Sequence, residues 1–313
     1  MTNLSEFTFL SSDGKTQLHG MLWEPEGVAV RAVLQICHGV AEHIARYDGF
    51  ARALNEQGIV VAGHDHLGHG KSLPEGGTPV YFGDGNTWNT VVDDIYVLHQ
   101  RLKQRYPDVP LCIMGHSMGS FLTRTYLIRY PGTVKAAVIM GTGWQPRAAI
   151  TGGLALANAI AAVSGENATS ELVTELAFGS YNKLFAPNRT KVDWLSADES
   201  DVDDYIADPL CGADATVGLF RQMLHGIRFN QRQSHLRQMD REMPVLFVAG
   251  DKDPVGNCGK GVRQTYDAFR AAGMRDCTLK LYPGLRHEIL NEKAYTADIT
   301  KNIEAWLLSR LEK

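Results

Sequence analysis

Six short apolar runs divide the 313-residue chain: AVRAVLQICHG, IVVAGHDH, PLCIMG, VKAAVIMG, MPVLFVAG and CTLKLYPG. None is long enough for a core helix, and a glycine turn closes or interrupts each one, so they read as strands; the first two read as strands buried on both faces. Between them lie segments of helical period. Residues 46–57 end at Gly58, and residues 86–105 carry Val91, Val92, Ile95, Leu98 and Leu102 as one stripe before the Tyr106-Pro107 stop. Helices over 118–130 and 259–272 follow, and the last helix turns Ile299, Ile303, Trp306, Leu307 and Leu311 to the core. Strands alternating with helices imply an α/β fold, a mostly parallel sheet covered on both faces. EFTFL and QLHGMLWEP, flanking SSDGK, read as a hairpin at its start.

The alternation fails only over residues 143–240, where AITGGLALANAIAAV and GLFRQMLHGIRFN are helical in character and no buried-strand run stands out. The expected organisation is therefore one discontinuous core, 1–142 with 241–313, interrupted by a helical lid or cap at 143–240. The apolar run 149–163 is shorter than the ~20 residues that span a bilayer and contains Asn158.

A net charge of −4, from 31 basic and 35 acidic residues, supplies no basic surface for nucleic acid. The opening MTNLSEFTFLSSDGK lacks the basic leader and apolar core of a secretory signal. Five cysteines (Cys37, Cys112, Cys211, Cys258 and Cys277) are scattered without a CxxC pair, so reduced thiols and a cytoplasmic location are expected. Cys37 and Cys112 read as small core hydrophobes. Oligomeric state is not written in the pattern.

The chemistry concentrates in LCIMGHSMGSFLTRTYL. A buried strand ends at Gly115 and a helix opens directly after Ser117, a reversal that forces the central residue into strained backbone geometry. Gly115 and Gly119, two positions to either side, remove side chains that would collide there. The turn lifts the Ser117 hydroxyl clear of the sheet and aims the helix N-terminus at any negative charge developing beside it. A serine nucleophile needs a base, and the base an orienting acid. PVLFVAGDKDPVG offers Asp251 and Asp253 after one strand, and LKLYPGLRHEIL offers His287 after the next. Asp253, deeper in its loop, is the favoured acid; Asp251 reads as a turn cap.

GHDHLGHGKS, residues 63–72, imitates two other chemistries. A nucleotide loop requires glycine five positions before the glycine of GKS, where Asp65 stands. A metal site would need His64, Asp65, His66 and His69 to converge, whereas neighbours on an extended segment point to opposite faces. The three histidines read as hydrogen-bonded turn residues. Glu42 and His43 read as holding the nearby loop in shape, Trp144 as a lining or packing residue, and ADESDVDDY as a solvated face.

HGVAEHIARY (38–47), DHLGHGKS (65–72), GHSMGS (115–120) and the pair GDKDP with PGLRHE, in that order, resemble the serine α/β-hydrolases. Within these the resemblance is to the monoacylglycerol lipase and lysophospholipase-like group, related to serine aminopeptidase-type hydrolases. The resemblance implies an α/β-hydrolase fold with Ser117 as nucleophile, Asp253 as acid and His287 as base. It also implies an oxyanion hole from the backbone N–H groups of Val40, following His38-Gly39, and of Met118. The expected activity is hydrolysis of a carboxylic ester, a monoacylglycerol or lysophospholipid-type single-chain acyl ester, without metal or organic cofactor. Transient contact of the lid with a membrane surface is a further expectation. The rivals are a short-chain or aromatic-ester esterase, a small-peptide aminopeptidase on the same scaffold and, from another class, a non-catalytic binding protein.

Overall fold

The computed structural model describes residues 1–311, so the last two residues of the expected 241–313 segment lie outside the described residues. The strands are β1 (Thr2–Leu10), β2 (Gln17–Pro25), β3 (Ala32–Cys37), β4 (Ile59–His64), β5 (Leu111–His116), β6 (Ala136–Met140), β7 (Val245–Gly250) and β8 (Cys277–Tyr282). They form a single sheet in the order β1-β2-β4-β3-β5-β6-β7-β8. β2 runs antiparallel to β1 and β4, and every pair from β4 to β8 is parallel.

Every residue of β3 to β7 is buried, the reason these runs are almost wholly apolar rather than alternating; the polar exceptions are Gln35, which donates to Ile95 O, and the strand-end His64 and His116. Successive residues feed opposite faces. On one face Val33, Val60, Ile113, Ile139 and Phe247 pack with Ile95 of α2 (Thr87–Arg105), Leu122 of α3 (Met118–Arg129) and Phe269 of the later helix Lys260–Ala271. On the other, Leu34, Val61, Met114, Val138 and Val248 pack with Phe50 and Leu54 of α1 (Asp48–Asn55) and with Ile299 and Ile303 of the final helix Thr296–Leu311. In that final helix Leu307 is also buried, but Trp306 and Leu311 are only half-buried. The sheet ends beside them: β8 is a half-buried edge strand, and the Trp306 indole donates to Thr278 Oγ1 on it.

Between β6 and β7 the chain forms α4 (Arg147–Ser164), α5 (Glu171–Thr174), α6 (Ser180–Lys183), α7 (Glu199–Ala207), α8 (Val217–Asn230) and α9 (Gln233–Leu236). α8 shares the first core face through Leu219 and Phe220, and Asn230 at its end bonds Phe121 O and Thr125 Oγ1 of α3. α4 is different: by length and composition alone it is apolar enough to cross a membrane, yet only Ile150, Leu154 and Ala157 of it are buried.

Candidate active site

Cys37 pairs with Gly115, His116 with Met140 and Gly250 with Tyr282, so the carboxyl ends of the central strands open side by side. Open parallel sheets place their ligands in the crevice beyond such ends. Ser117 leaves β5 with φ 54° and ψ −122°, a conformation that costs a non-glycine residue about 1–3 kcal/mol. Its surroundings hold it there: Ser117 N–H donates to Met140 O (3.1 Å), while the Ser120 hydroxyl and amide both donate to Ser117 O (2.6 and 2.9 Å). The flanking glycines are steric necessities. A Cβ on Gly119 would lie 2.0 Å from Cys37 O, and one on Gly115 would lie 2.3 Å from both Gly119 O and Thr123 Oγ1.

His287 Nδ1 lies 3.0 Å from Asp253 Oδ2, both side chains being buried. Asp253 Oδ1 accepts the Val255 amide (2.9 Å), which fixes the carboxylate plane. Asp251 instead accepts the Gly284 amide (2.8 Å), tying the loops after β7 and β8 together. Ser117 and His287 line one cavity of about 810 Å³ with Val40, Phe178, Trp194 and Tyr205. Among the described residues no hydrogen bond joins the Ser117 hydroxyl to His287. Catalytic contacts of this kind commonly tighten only with substrate bound. The Val40 and Met118 amides likewise have no acceptor among the described protein groups.

The loop after β3 is shaped by one carboxylate. Glu42 Oε1 accepts the Gly39 amide (2.5 Å) and the Tyr47 hydroxyl (3.1 Å), while Glu42 Oε2 meets Arg46 (3.2 Å). His38 accepts the His66 amide at Nε2 (2.9 Å), so its Nδ1, 2.8 Å from Gly39 O, carries the proton. His116 stands between this loop and the base, with Nδ1 3.2 Å from Glu42 and Nε2 3.3 Å from His287 O. Both contacts need a donor, which describes an imidazolium. Burial opposes that charge, but the hydrogen bond and charge of Glu42 outweigh it and raise the His116 pKa. Burial also works against the Glu42 carboxylate, and His116 and Arg46 hold it well below the usual range.

Residues 143–240 contribute groups to this site that local sequence patterns do not single out. Leu195 O accepts the His287 and Glu288 amides (3.0 and 2.7 Å), and the Trp194 ring lies 5.1 Å from that of His287. Trp144, expected as a lining or packing residue, is not among the described lining residues; Arg124 and Thr265 bond the preceding Gly143 O and tie that stretch to α3 and the helix Lys260–Ala271. ADESDVDDY is not wholly a solvated face. Asp198 caps α7 and the rest from Glu199 lies in it, where Asp201 turns inward to within 3.7 Å of Arg46, itself paired with Glu288 (2.7 Å). Burial, then the Glu288 charge, pushes the Asp201 pKa up to about 8.

The run at 63–72 is organised around Asp65. This buried carboxylate accepts the Ile44 and Lys71 amides (2.8 and 2.9 Å) and faces His19 Nδ1 (2.9 Å). Burial opposes its charge, but the His19 bond and the amides bring its pKa to about 2. Gly70 wraps this turn at φ 47°, where a Cβ would lie 2.5 Å from Asp65 Cγ. Two histidines correct the expectation of hydrogen-bonded turn residues: His64 and His66 are buried, and among the described residues none of their ring nitrogens has a protein partner. They pack as aromatic surfaces, His64 edge-on to Phe9 (5.2 Å) and His66 against His38 (4.2 Å). His69 does bond, through Nδ1 to Leu67 O (2.9 Å).

Comparison with known proteins places this geometry in context. The family described as "Serine aminopeptidase, S33" matches residues 28–294. The chain is similar to a monoacylglycerol lipase of Mycolicibacterium smegmatis, at 31% identity over 98% of both chains, and to the monoglyceride lipase of Mus musculus, at 28% identity over 96% of this chain and 90% of the relative. Among solved structures, a thermostable carboxyl esterase from Bacillus coagulans in complex with glycerol superposes with a TM-score of 0.92. It is 26% identical, covering 99% of this chain and 100% of that one.

Proposed function

The chain belongs to the serine aminopeptidase S33 family of α/β-hydrolases, and from that premise we propose that it hydrolyses single-chain acyl esters of the monoacylglycerol or lysophospholipid type. It is a serine ester hydrolase, as its lipase relatives and its carboxyl esterase neighbour are. In the proposed mechanism Ser117 Oγ attacks the acyl carbonyl. His287 takes the proton at Nε2, because Asp253 accepts from Nδ1 and so fixes the tautomer. The Val40 and Met118 amides receive the oxyanion. His287 then protonates the departing alcohol, and water attacks the acyl-enzyme by the same route in reverse.

One observation carries this reading: the strained Ser117 and His287, the latter backed by buried Asp253, line a single cavity of about 810 Å³. That volume lies within the roughly 300–1,000 Å³ typical of small-molecule sites. Residues 143–240 serve as the lid, and the exposed apolar α4 is the element with which it touches a membrane surface.

Two measurements test the proposal. A fluorophosphonate probe should label Ser117 and fail to label Ser117→Ala; turnover of esters by Ser117→Ala refutes the assigned nucleophile. A kcat/KM series over glycerol, lysophospholipid and nitrophenyl esters, with aminoacyl nitroanilides beside them, should favour a long single chain. A preference for the anilides would make the chain a peptidase.

A further inference from the structure

Beside the cavity, the loop after β3 meets the turn after α7. His43 Nε2 lies 2.8 Å from Asp208 Oδ2, and the Cys211 sulfur lies within 4.8 Å of a ring nitrogen of His43 and of a carboxylate oxygen of Asp208. Among the described residues this is the only group of three or more histidine, cysteine or acidic side chains whose donor atoms converge so closely. The turn presents two of them together: Cys211 N–H donates to Asp208 O (3.0 Å), and Leu210 N–H occupies Asp208 Oδ1 (2.9 Å), leaving Oδ2 for His43. Two further bonds hold the segments in register. Gly212 N–H and the Tyr205 hydroxyl both donate to Ala41 O at 3.0 Å. His43 is buried, while Asp208 and Cys211 are half-buried, so an ion has a path from solvent. The nearby Arg46 is already matched by Glu42 and Glu288.

We propose that His43, Asp208 and Cys211 form a binding site for Zn²⁺ that staples residues 205–212 to the loop bearing the Val40 amide. A nitrogen, an oxygen and a sulfur donor suit zinc; calcium and magnesium take all-oxygen shells. With bonds of about 2.0 Å to nitrogen and oxygen and about 2.3 Å to sulfur, tetrahedral ligand atoms sit roughly 3.3–3.8 Å apart. The His43–Asp208 pair must therefore open by less than about an ångström, and the thiol must close by at most roughly 1–1.5 Å. On binding, the His43–Asp208 hydrogen bond breaks, the imidazole proton shifts from Nε2 to Nδ1 so that Nε2 offers its lone pair, the Cys211 thiol releases its proton to solvent as it becomes a thiolate, and water takes the fourth position. Occupancy joins two walls of the cavity, since Val40, Ala41, Tyr205 and Gly212 all line it. Restraining them slows the exchange of a bulky substrate.

Cobalt(II) titration of the full chain tests the site through a thiolate-to-cobalt absorption band in the near ultraviolet. The wild type should show the band at one ion per chain, zinc should bleach it, and both Cys211→Ser and Asp208→Asn should lack it. Zinc should also raise the wild-type Tm by a few degrees and leave Cys211→Ser unchanged. Absence of the band, its persistence in Cys211→Ser, or equal Tm shifts in the two proteins would each overturn the site. An activity arm rests on the esterase reading: zinc should slow long-chain ester turnover several-fold in the wild type and not in Cys211→Ser. Equal inhibition of both would overturn the staple. A chain without esterase activity would still answer through the band and the Tm.

Discussion

Glu42 Oε1 and the Gly39 amide nitrogen lie 2.5 Å apart, a hydrogen bond across the loop whose next amide belongs to Val40. The same carboxylate contacts His116, whose other nitrogen meets the His287 carbonyl, so one side chain links the oxyanion loop to the loop of the base. Glu42→Ala frees the Gly39 amide and loosens both. The expected result is a fall in kcat of about 10- to 100-fold, short of the 10²–10³ for outright loss of an oxyanion donor, with KM within a few-fold. Glu42→Gln, which keeps an acceptor, should recover most of the loss. Steady-state kinetics on a nitrophenyl ester decides it, and an unchanged kcat in Glu42→Ala would show that the loop keeps its shape unaided.

Asp253 and Asp251 stand two residues apart and face different partners, which makes them a matched pair of controls. Asp253→Asn removes the acceptor that holds the His287 tautomer and should lower kcat about 10⁴-fold while the fold is retained. Asp251→Asn disturbs only a bond to the Gly284 amide and should stay within a few-fold of wild type. Comparable losses in both variants would mean that His287 is not oriented by Asp253.

Gly119→Ala places a methyl group 2.0 Å from Cys37 O and 2.5 Å from His38 O, both backbone atoms with no rotamer to yield. α3 must then withdraw from β3, carrying Met118 and Ser117 with it. A stability loss of about 2–3 kcal/mol or more is expected in urea unfolding, with loss of probe labelling at Ser117. Retention of wild-type stability would show that the helix can shift without cost.

What could be read from the residues alone follows the range of the forces involved. Strands β3 to β7 are legible because burial on both faces leaves a local imprint, an apolar run with no polar alternation. The turn at Ser117 is legible because its glycines answer clashes inside a single supersecondary unit. Asp201, Trp194 and Glu288 are not legible, since their surroundings depend on how residues 143–240 fold back; Arg46 and Glu288 meet across 242 positions. His64 and His66 fail for another reason. A histidine's letter does not distinguish a bonded ring from one packed only as an aromatic surface.

Those packed rings make the fold acid-sensitive. Burial lowers the pKa of His64 and of His69 from 6.5 to about 3, and that of His38 and His66 in the same direction. Between pH 6.5 and 3 the unfolded chain therefore binds protons that the folded chain refuses, so stability rises with pH through that window and falls on acidification. Within that window His64 and His69 each contribute on the order of 1 kcal/mol per pH unit, and His38 and His66 act in the same sense. From pH 7 to pH 5 the share of His64 alone is roughly 2 kcal/mol. Asp94 and Asp201, with pKa values raised to about 6 and about 8, act in the opposite sense, so the comparison must be between variants rather than between pH values alone. His64→Leu removes one titrating ring and keeps an apolar side chain against Phe9. Urea unfolding at pH 7 and pH 5 should show the wild type losing about 2 kcal/mol more than His64→Leu across that interval. Parallel losses in the two proteins would place the His64 ring in contact with a proton acceptor or with water, and its burial as a neutral aromatic surface would be wrong.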